Sequence, residues 1–157
     1  LRELFDLVKY RPQGTRAAAP CYGNVDYVRP ADEAVYLKKT NQATAIVAHI
    51  ETELGYANLD EIAATPGIDM LYVGLCDFSI AMGHPGQANH PDVEKAVLKI
   101  SDACKKNGVP FGITPSDAQR AAYWARQGAR FYEMVDEMSW LQRVLDSALD
   151  EWREAIG

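Results

Sequence analysis

A chain of 157 residues with 48% hydrophobic and 24% charged residues has the makeup of a folded globular protein with one core, which excludes a disordered segment. A formal net charge of -6 and a pI near 5.0 exclude a nucleic-acid surface and an anionic-membrane surface, both of which need clustered Lys and Arg. Cys21, Cys76 and Cys104 make no CxxC pair and no zinc-like spacing, so a reducing, cytoplasmic setting is expected; no apolar run approaches the roughly 20 residues of a spanning helix.

The chain starts inside an amphipathic stretch, Leu1 to Val8, which reads as a helix entered part-way, so an upstream portion of the fold is expected. Pro12 and Gly14 end that helix. From Thr15 to Pro30 no period is sustained, which predicts a surface excursion, and Asp32 to Lys39 is helical. Four apolar runs follow as buried strands: Ala43 to Ile50, Met70 to Leu75, Val109 to Ile113 and Phe131 to Val135.

Helical patterns lie between the strands, over Asn58 to Ala64, Pro91 to Lys106 and Ser116 to Gln127, punctuated by Gly67, Gly108 and Gly128. In the second of them Val93, Val97, Ile100 and Cys104 recur at helical spacing and define one buried face. Strands alternating with amphipathic helices imply a parallel sheet, because each parallel neighbour needs a crossover. Four such units make half of an eight-unit β/α barrel, which typically needs about 250 residues. The expected fold is therefore α/β, the C-terminal half or more of a TIM-type barrel, with residues 1–157 a single partial domain; an open doubly wound sheet is the competing architecture. The last stretch, Ser139 to Ile156, places Trp140, Leu141, Val144, Leu145, Leu149 and Trp152 at helical spacing, as a terminal helix that docks on another subunit would.

In parallel β/α folds the reactive groups follow the strand ends. Glu51 follows the first strand and Asp77 the second. Two neighbouring carboxylates repel unless a cation lies between them, and such oxygen ligands suit Mg²⁺ or Mn²⁺. Gly74 would let the main chain approach a ligand closely. The spacing leaves a second reading open for each residue: Asp77 as the N-cap of a turn at Phe78 to Met82, and Glu51 as a solvated loop residue.

The segments Tyr10 to Arg16, His49-Ile-Glu-Thr52, Asn58 to Ile62, Pro66 to Asp69, Val73-Gly-Leu-Cys-Asp-Phe-Ser79 and His90 to Val93 resemble, in order and spacing, the HpcH/HpaI aldolase family. The resemblance implies a barrel enzyme that cleaves 4-hydroxy-2-oxo acids to pyruvate, or a close analogue, plus an aldehyde, through an enolate stabilised by a divalent metal ion (Mg²⁺, Mn²⁺ or Co²⁺). It implies that Glu51 and Asp77 ligate the metal and that the backbone at Gly74, Leu75 and Cys76 faces the pyruvyl carboxylate. It also implies a homo-oligomer with exchanged C-terminal helices. A related oxaloacetate decarboxylase, a malyl-thioester-type lyase and a non-catalytic half-barrel module remain as alternatives.

The family's His and Arg belong to early strands and are expected upstream, so this chain alone is expected to be inactive or severely impaired. Arg16, in a loop, and His49, expected to face away from Glu51, do not replace them. Gly74-Leu-Cys-Asp-Phe-Ser79 stands where the family usually has Gly-Pro-Ala-Asp-Leu-Ser, which bears on the shape of the pyruvate pocket. Glu133 is read as a surface-facing or paired group, and His84 and His90 as loop and helix-start residues rather than metal ligands.

Overall fold

The computed structural model describes residues 2–134 and 136–157. Its four strands, β1 (Val47–Ile50), β2 (Met70–Val73), β3 (Phe111–Ile113) and β4 (Ala129–Tyr132), pair in parallel in the order β1-β2-β3-β4. The helices are α1 (Arg2–Val8), α2 (Glu33–Ala43), α3 (Glu53–Ala57), α4 (Leu59–Ala63), α5 (Leu75–Ala81), α6 (Pro91–Asn107), α7 (Ala118–Gln127) and α8 (Glu137–Ile156). Of the expected elements, Leu1 and Val135 lie outside the described residues. No described helix is long and apolar enough to cross a membrane.

Each strand turns one row of side chains toward the helices. Ile50, Leu71, Val73, Phe111 and Ile113 are buried there against Phe78, Val93, Val97, Ile100, Cys104 and Trp124. The other face is largely open: Val47 is 37% and Phe131 50% exposed, while Tyr72 between them is covered by its neighbours. Parallel sheets normally bury both faces, so a sheet bare on one side has the form of part of a barrel whose interior is still accessible.

Some boundaries differ from the sequence reading. The first strand starts at Val47 rather than Ala43 because α2 runs on to Ala43 and its end is held by side chains. The buried Lys9 ammonium donates to the carbonyls of Asn41, at 2.8 Å, and Thr44. The Asn41 amide in turn bridges the Tyr10 N–H and carbonyl at 2.7 and 2.8 Å. The last strand starts at Ala129, directly after the Gly128 cap with φ 109°, where the charge of Arg130 hides it from an apolar-run reading. The helix expected over Asn58 to Ala64 is α4, capped at Asn58, and a further short helix, α3, precedes it directly.

Helix α6 carries its stop and start signals as expected. His90 Nδ1 accepts the Asp92 N–H at 3.2 Å, Pro91 occupies the first turn, and Gly108 at φ 67° ends it. Helices α6 and α7 are clamped by Glu94, which accepts from Arg120 Nη2 at 2.7 Å and from the Tyr123 hydroxyl at 2.6 Å. The Arg120 guanidinium also lies over the Tyr123 and Trp124 rings, at 4.6 and 5.1 Å.

The Tyr123 hydrogen bond, with help from Arg120, holds the Glu94 carboxyl below its ordinary value. A depressed folded-state pKa contributes stability above the unfolded value of about 4.3, lost as pH falls through the folded one. We therefore expect Glu94→Gln to cost about 1 kcal/mol at neutral pH, seen as a lower Tm. The gap to wild type should close in thermal melts below about pH 4.

Candidate functional site

Register decides what meets at the C-terminal edge of the sheet. Ile50 pairs with Val73, so the next residues, Glu51 and Gly74, stand side by side. A Cβ at Gly74 would lie 2.7 Å from Glu51 Oε2 and 3.3 Å from Glu51 Cβ, inside contact distance. The glutamate side chain occupies the space that the missing Cβ leaves free. After Glu51 the chain turns at once into α3, where the Thr52 hydroxyl caps by accepting the Gly55 N–H at 3.0 Å.

Beyond Gly74 the chain enters α5 immediately. Gly74 is the N-cap, Leu75 the first helical residue, and Asp77 sits inside the first turn. The reading of Asp77 as an N-cap is thereby overturned: the helix starts two residues before it, because Gly74 ends the strand. Among the described residues the Asp77 carboxylate accepts no hydrogen bond and forms no ion pair. The N–H groups of this turn lack intrahelical acceptors, which favours negative charge near them.

Glu51, Gly74, Leu75, Cys76 and Asp77 line a single cleft of about 580 Å³, with His49, Tyr72, Thr114 and Glu133 among its other walls. Two carboxylates line this cleft, one without a protein partner and the other folded over a glycine, and hard oxygen donors of this kind are chemically suited to a divalent cation with oxygen preference.

His49 was expected to face away from Glu51, and this is corrected. Residues two apart on a strand share a face, and His49 Nδ1 lies 3.7 Å from Glu51 Oε2. The His49 ring packs against Tyr72 with centroids 4.8 Å apart, as their pairing across β1 and β2 requires. Arg16 is elsewhere, over the Tyr10 ring at 4.6 Å.

Tyr72 is the residue that sequence reasoning missed. Its ring crosses β3 above Gly112, where a Cβ would stand 2.8 Å from Tyr72 Cδ2. That passage lets the hydroxyl reach Thr114 on one side and donate to Glu133 Oε2 at 2.9 Å on the other. Burial first, and the Glu133 carboxylate second, push the Tyr72 pKa up to about 12, so it keeps its proton at neutral pH; the Thr114 bond opposes them. Glu133 is thus paired, as read, and also lines the cleft. The available signal was the polar-tipped Tyr in an otherwise apolar strand.

A second cluster with metal-like spacing lies apart. Ligand atoms of His84, His90 and Asp92 fall within 4.8 Å of one another. The two imidazoles stack with centroids 3.5 Å apart and planes 16° from parallel, and His84 Nε2 and His90 Nδ1 lie 3.3 and 3.6 Å from Asp92 Oδ2. His90 Nδ1 is already the acceptor that caps α6, and Lys95 and Lys99 line the hollow beside His84 and Asp92. His90 and Asp92 thus also serve the start of α6.

A profile of the HpcH/HpaI aldolase/citrate lyase family matches residues 1–140. A hydroxypyruvate/pyruvate aldolase of Paraburkholderia phytofirmans is 35% identical over 118 residues, covering 75% of this chain and 45% of that protein. A 5-keto-4-deoxy-D-glucarate aldolase of Shigella sonnei is 32% identical over 149 residues, covering 93% of this chain and 56% of that protein. Among solved structures, an HpcH/HpaI aldolase from Desulfitobacterium hafniense superposes with a TM-score of 0.89 at 27% identity, covering 98% of this chain and 59% of the other. A Burkholderia cenocepacia family member gives 0.83 at 32% identity, covering 95% and 58%. The chain spans about half the length of the curated relatives it matches, and its sheet is part of a β/α barrel.

Gly74 offers a direct test of the paired carboxylates. Its φ of -77° is open to L-residues and the Cβ would meet chiefly the mobile end of the Glu51 side chain, so Gly74→Ala should change unfolding stability by only about 1 kcal/mol. It should nevertheless displace the Glu51 carboxylate and weaken Mn²⁺ binding roughly 10–100-fold by calorimetry, the range seen when metal-ligand support is removed.

Proposed function

Because this chain belongs to the HpcH/HpaI aldolase/citrate lyase family, we propose that the whole protein is a divalent-metal-dependent aldolase that cleaves 4-hydroxy-2-oxo acids to pyruvate, or a close analogue, plus an aldehyde. The observation that carries this reading is the meeting of Glu51 and Asp77 on one cleft at adjacent strand ends, with Gly74 between them. The names of the aldolase relatives support a 2-oxo acid as the substrate class.

Glu51 and Asp77 would hold the cation, Mg²⁺, Mn²⁺ or Co²⁺, through their carboxylate oxygens. When bound, the cation supplies Lewis acidity at the substrate's 2-oxo group. The main-chain N–H groups from Gly74 to Cys76, free at the start of α5, would donate hydrogen bonds to the substrate carboxylate and fix its orientation. Held in this way, the substrate breaks its C3–C4 bond, the electron pair passing toward the 2-oxo group as C4 leaves as the aldehyde, and the enolate left behind takes a proton at C3 to become pyruvate. The 4-hydroxyl must lose its proton in this step, and that role falls to the upstream half of the barrel.

Residues 1–157 would then be one partial domain, the half that holds the metal. We place α8, residues 139–156 in particular, at a contact between subunits. Trp140, Leu141, Val144, Leu145, Leu149 and Trp152 are all more than half exposed along it, a larger apolar stripe than a solvated helix leaves bare. The three cysteines are free, which fits a reducing cytoplasm.

The test is an assay of pyruvate release from a panel of 4-hydroxy-2-oxo acids, with oxaloacetate and a malyl thioester alongside, using the protein with its complete barrel. Release should need Mg²⁺ or Mn²⁺, and Asp77→Asn should lower kcat/KM by roughly 10²–10³-fold. Metal-independent release, or activity unaltered in Asp77→Asn, would sink the reading; turnover of oxaloacetate alone would move it to decarboxylation. For assembly, light scattering at micromolar concentration should show an oligomer. Trp152→Glu should shift it toward the monomer, and a monomeric wild type would count against the contact.

A further inference from the structure

The proposed reaction uses the β1 and β2 side of the cleft and leaves the β3 and β4 side, Thr114 and Glu133, without a role. Neighbouring strands lie about 4.8 Å apart, so the end of β4 is roughly 10 Å from the end of β2. A substrate anchored at Gly74 to Asp77 by its carboxylate and 2-oxo group carries C4 and the carbons beyond it across that interval. A five-carbon chain with a hydrogen bond of about 3 Å at its far end covers it.

Glu133 meets the substrate there with a defined chemistry. Its Oε2 accepts the Tyr72 hydroxyl at 2.9 Å, which fixes the side chain, while Oε1 accepts no hydrogen bond among the described residues. An ionised carboxylate offers only acceptor sites, so a partner at Oε1 must be a donor. A second carboxylate would instead bring like charges together. Asp136, the other acid on this wall, is occupied as the α8 cap, accepting the Ser139 N–H and hydroxyl at 2.8 and 2.7 Å. Arg143, the wall's cation among the described residues, stands on α8 rather than on the sheet.

We infer that Glu133, held by Tyr72 across Gly112, is a specificity-determining residue for the aldehyde half of the substrate, accepting a hydrogen bond from a hydroxyl there and turning a carboxylate away. The inference rests on the aldolase reading above and adds the chemistry of the second product.

Glycolaldehyde and glyoxylate, aldehydes of one size that differ in bearing a hydroxymethyl or a carboxylate group, separate the cases. In the Mn²⁺-loaded protein with its complete barrel, aldol addition of pyruvate should be faster in kcat/KM with glycolaldehyde. Glu133→Gln keeps an acceptor for Tyr72 and removes the charge, and should narrow the glycolaldehyde-to-glyoxylate ratio at least tenfold. Mn²⁺ binding by Glu133→Gln, measured by calorimetry, shows that the variant is folded, so its ratio reports specificity. Exchange of pyruvate methyl protons in D₂O by the wild type, which needs no aldehyde, tests the underlying reading separately. Exchange together with an unchanged ratio, or with a wild-type preference for glyoxylate set by Arg143, overturns this inference alone. Absence of metal-dependent exchange overturns the aldolase reading and this inference with it.

Discussion

The in-register parallel pairing of β1 with β2 is the constraint on which the site depends. With Ile50 opposite Val73, the first residue past each strand is fixed beside the other, and those residues are Glu51 and Gly74. No loop flexibility is needed to bring them together. The glutamate side chain then occupies the volume that a side chain at position 74 would claim, and the helix that starts immediately afterwards carries Asp77 to the same cleft. Functional groups at strand ends are a general habit of β/α folds; here the juxtaposition of Glu51 and Gly74 follows from one hydrogen-bond register and one absent carbon atom.

The architecture was legible in the sequence because apolar runs of strand length alternate with helices that announce their own ends. Val93, Val97, Ile100 and Cys104 fall on the buried face of α6, and Gly108 and Gly128 close their helices in left-handed geometry. Where local signals were weak or conflicting, boundaries moved. Arg130 interrupts the apolar run of β4, and the buried Lys9 lengthens α2 from outside that helix.

The residues of the candidate site were legible in composition but their orientation was not. Glu51 and Asp77 were placed at strand ends, yet the glycine cap of α5 has no side chain to announce it, so Asp77 could be read as the cap. His49 illustrates the alternation of a strand, which puts it on the same face as Glu51. The Tyr72–Glu133 bond joins residues 61 positions apart, and only the crossing over Gly112 makes it possible. Contacts of that kind are set by register across three strands and leave no local trace.

Gly112 carries a consequence beyond the present sequence. Because the Tyr72 ring rests in the space above it, positions 72, 112 and 133 cannot drift independently. A larger residue in the middle strand is compatible only with a smaller one at 72, and either change strands the carboxylate at 133. Among natural variants these three positions should therefore change as a set, and a protein that acquires one member by mutation would pass through a less fit intermediate before gaining the others.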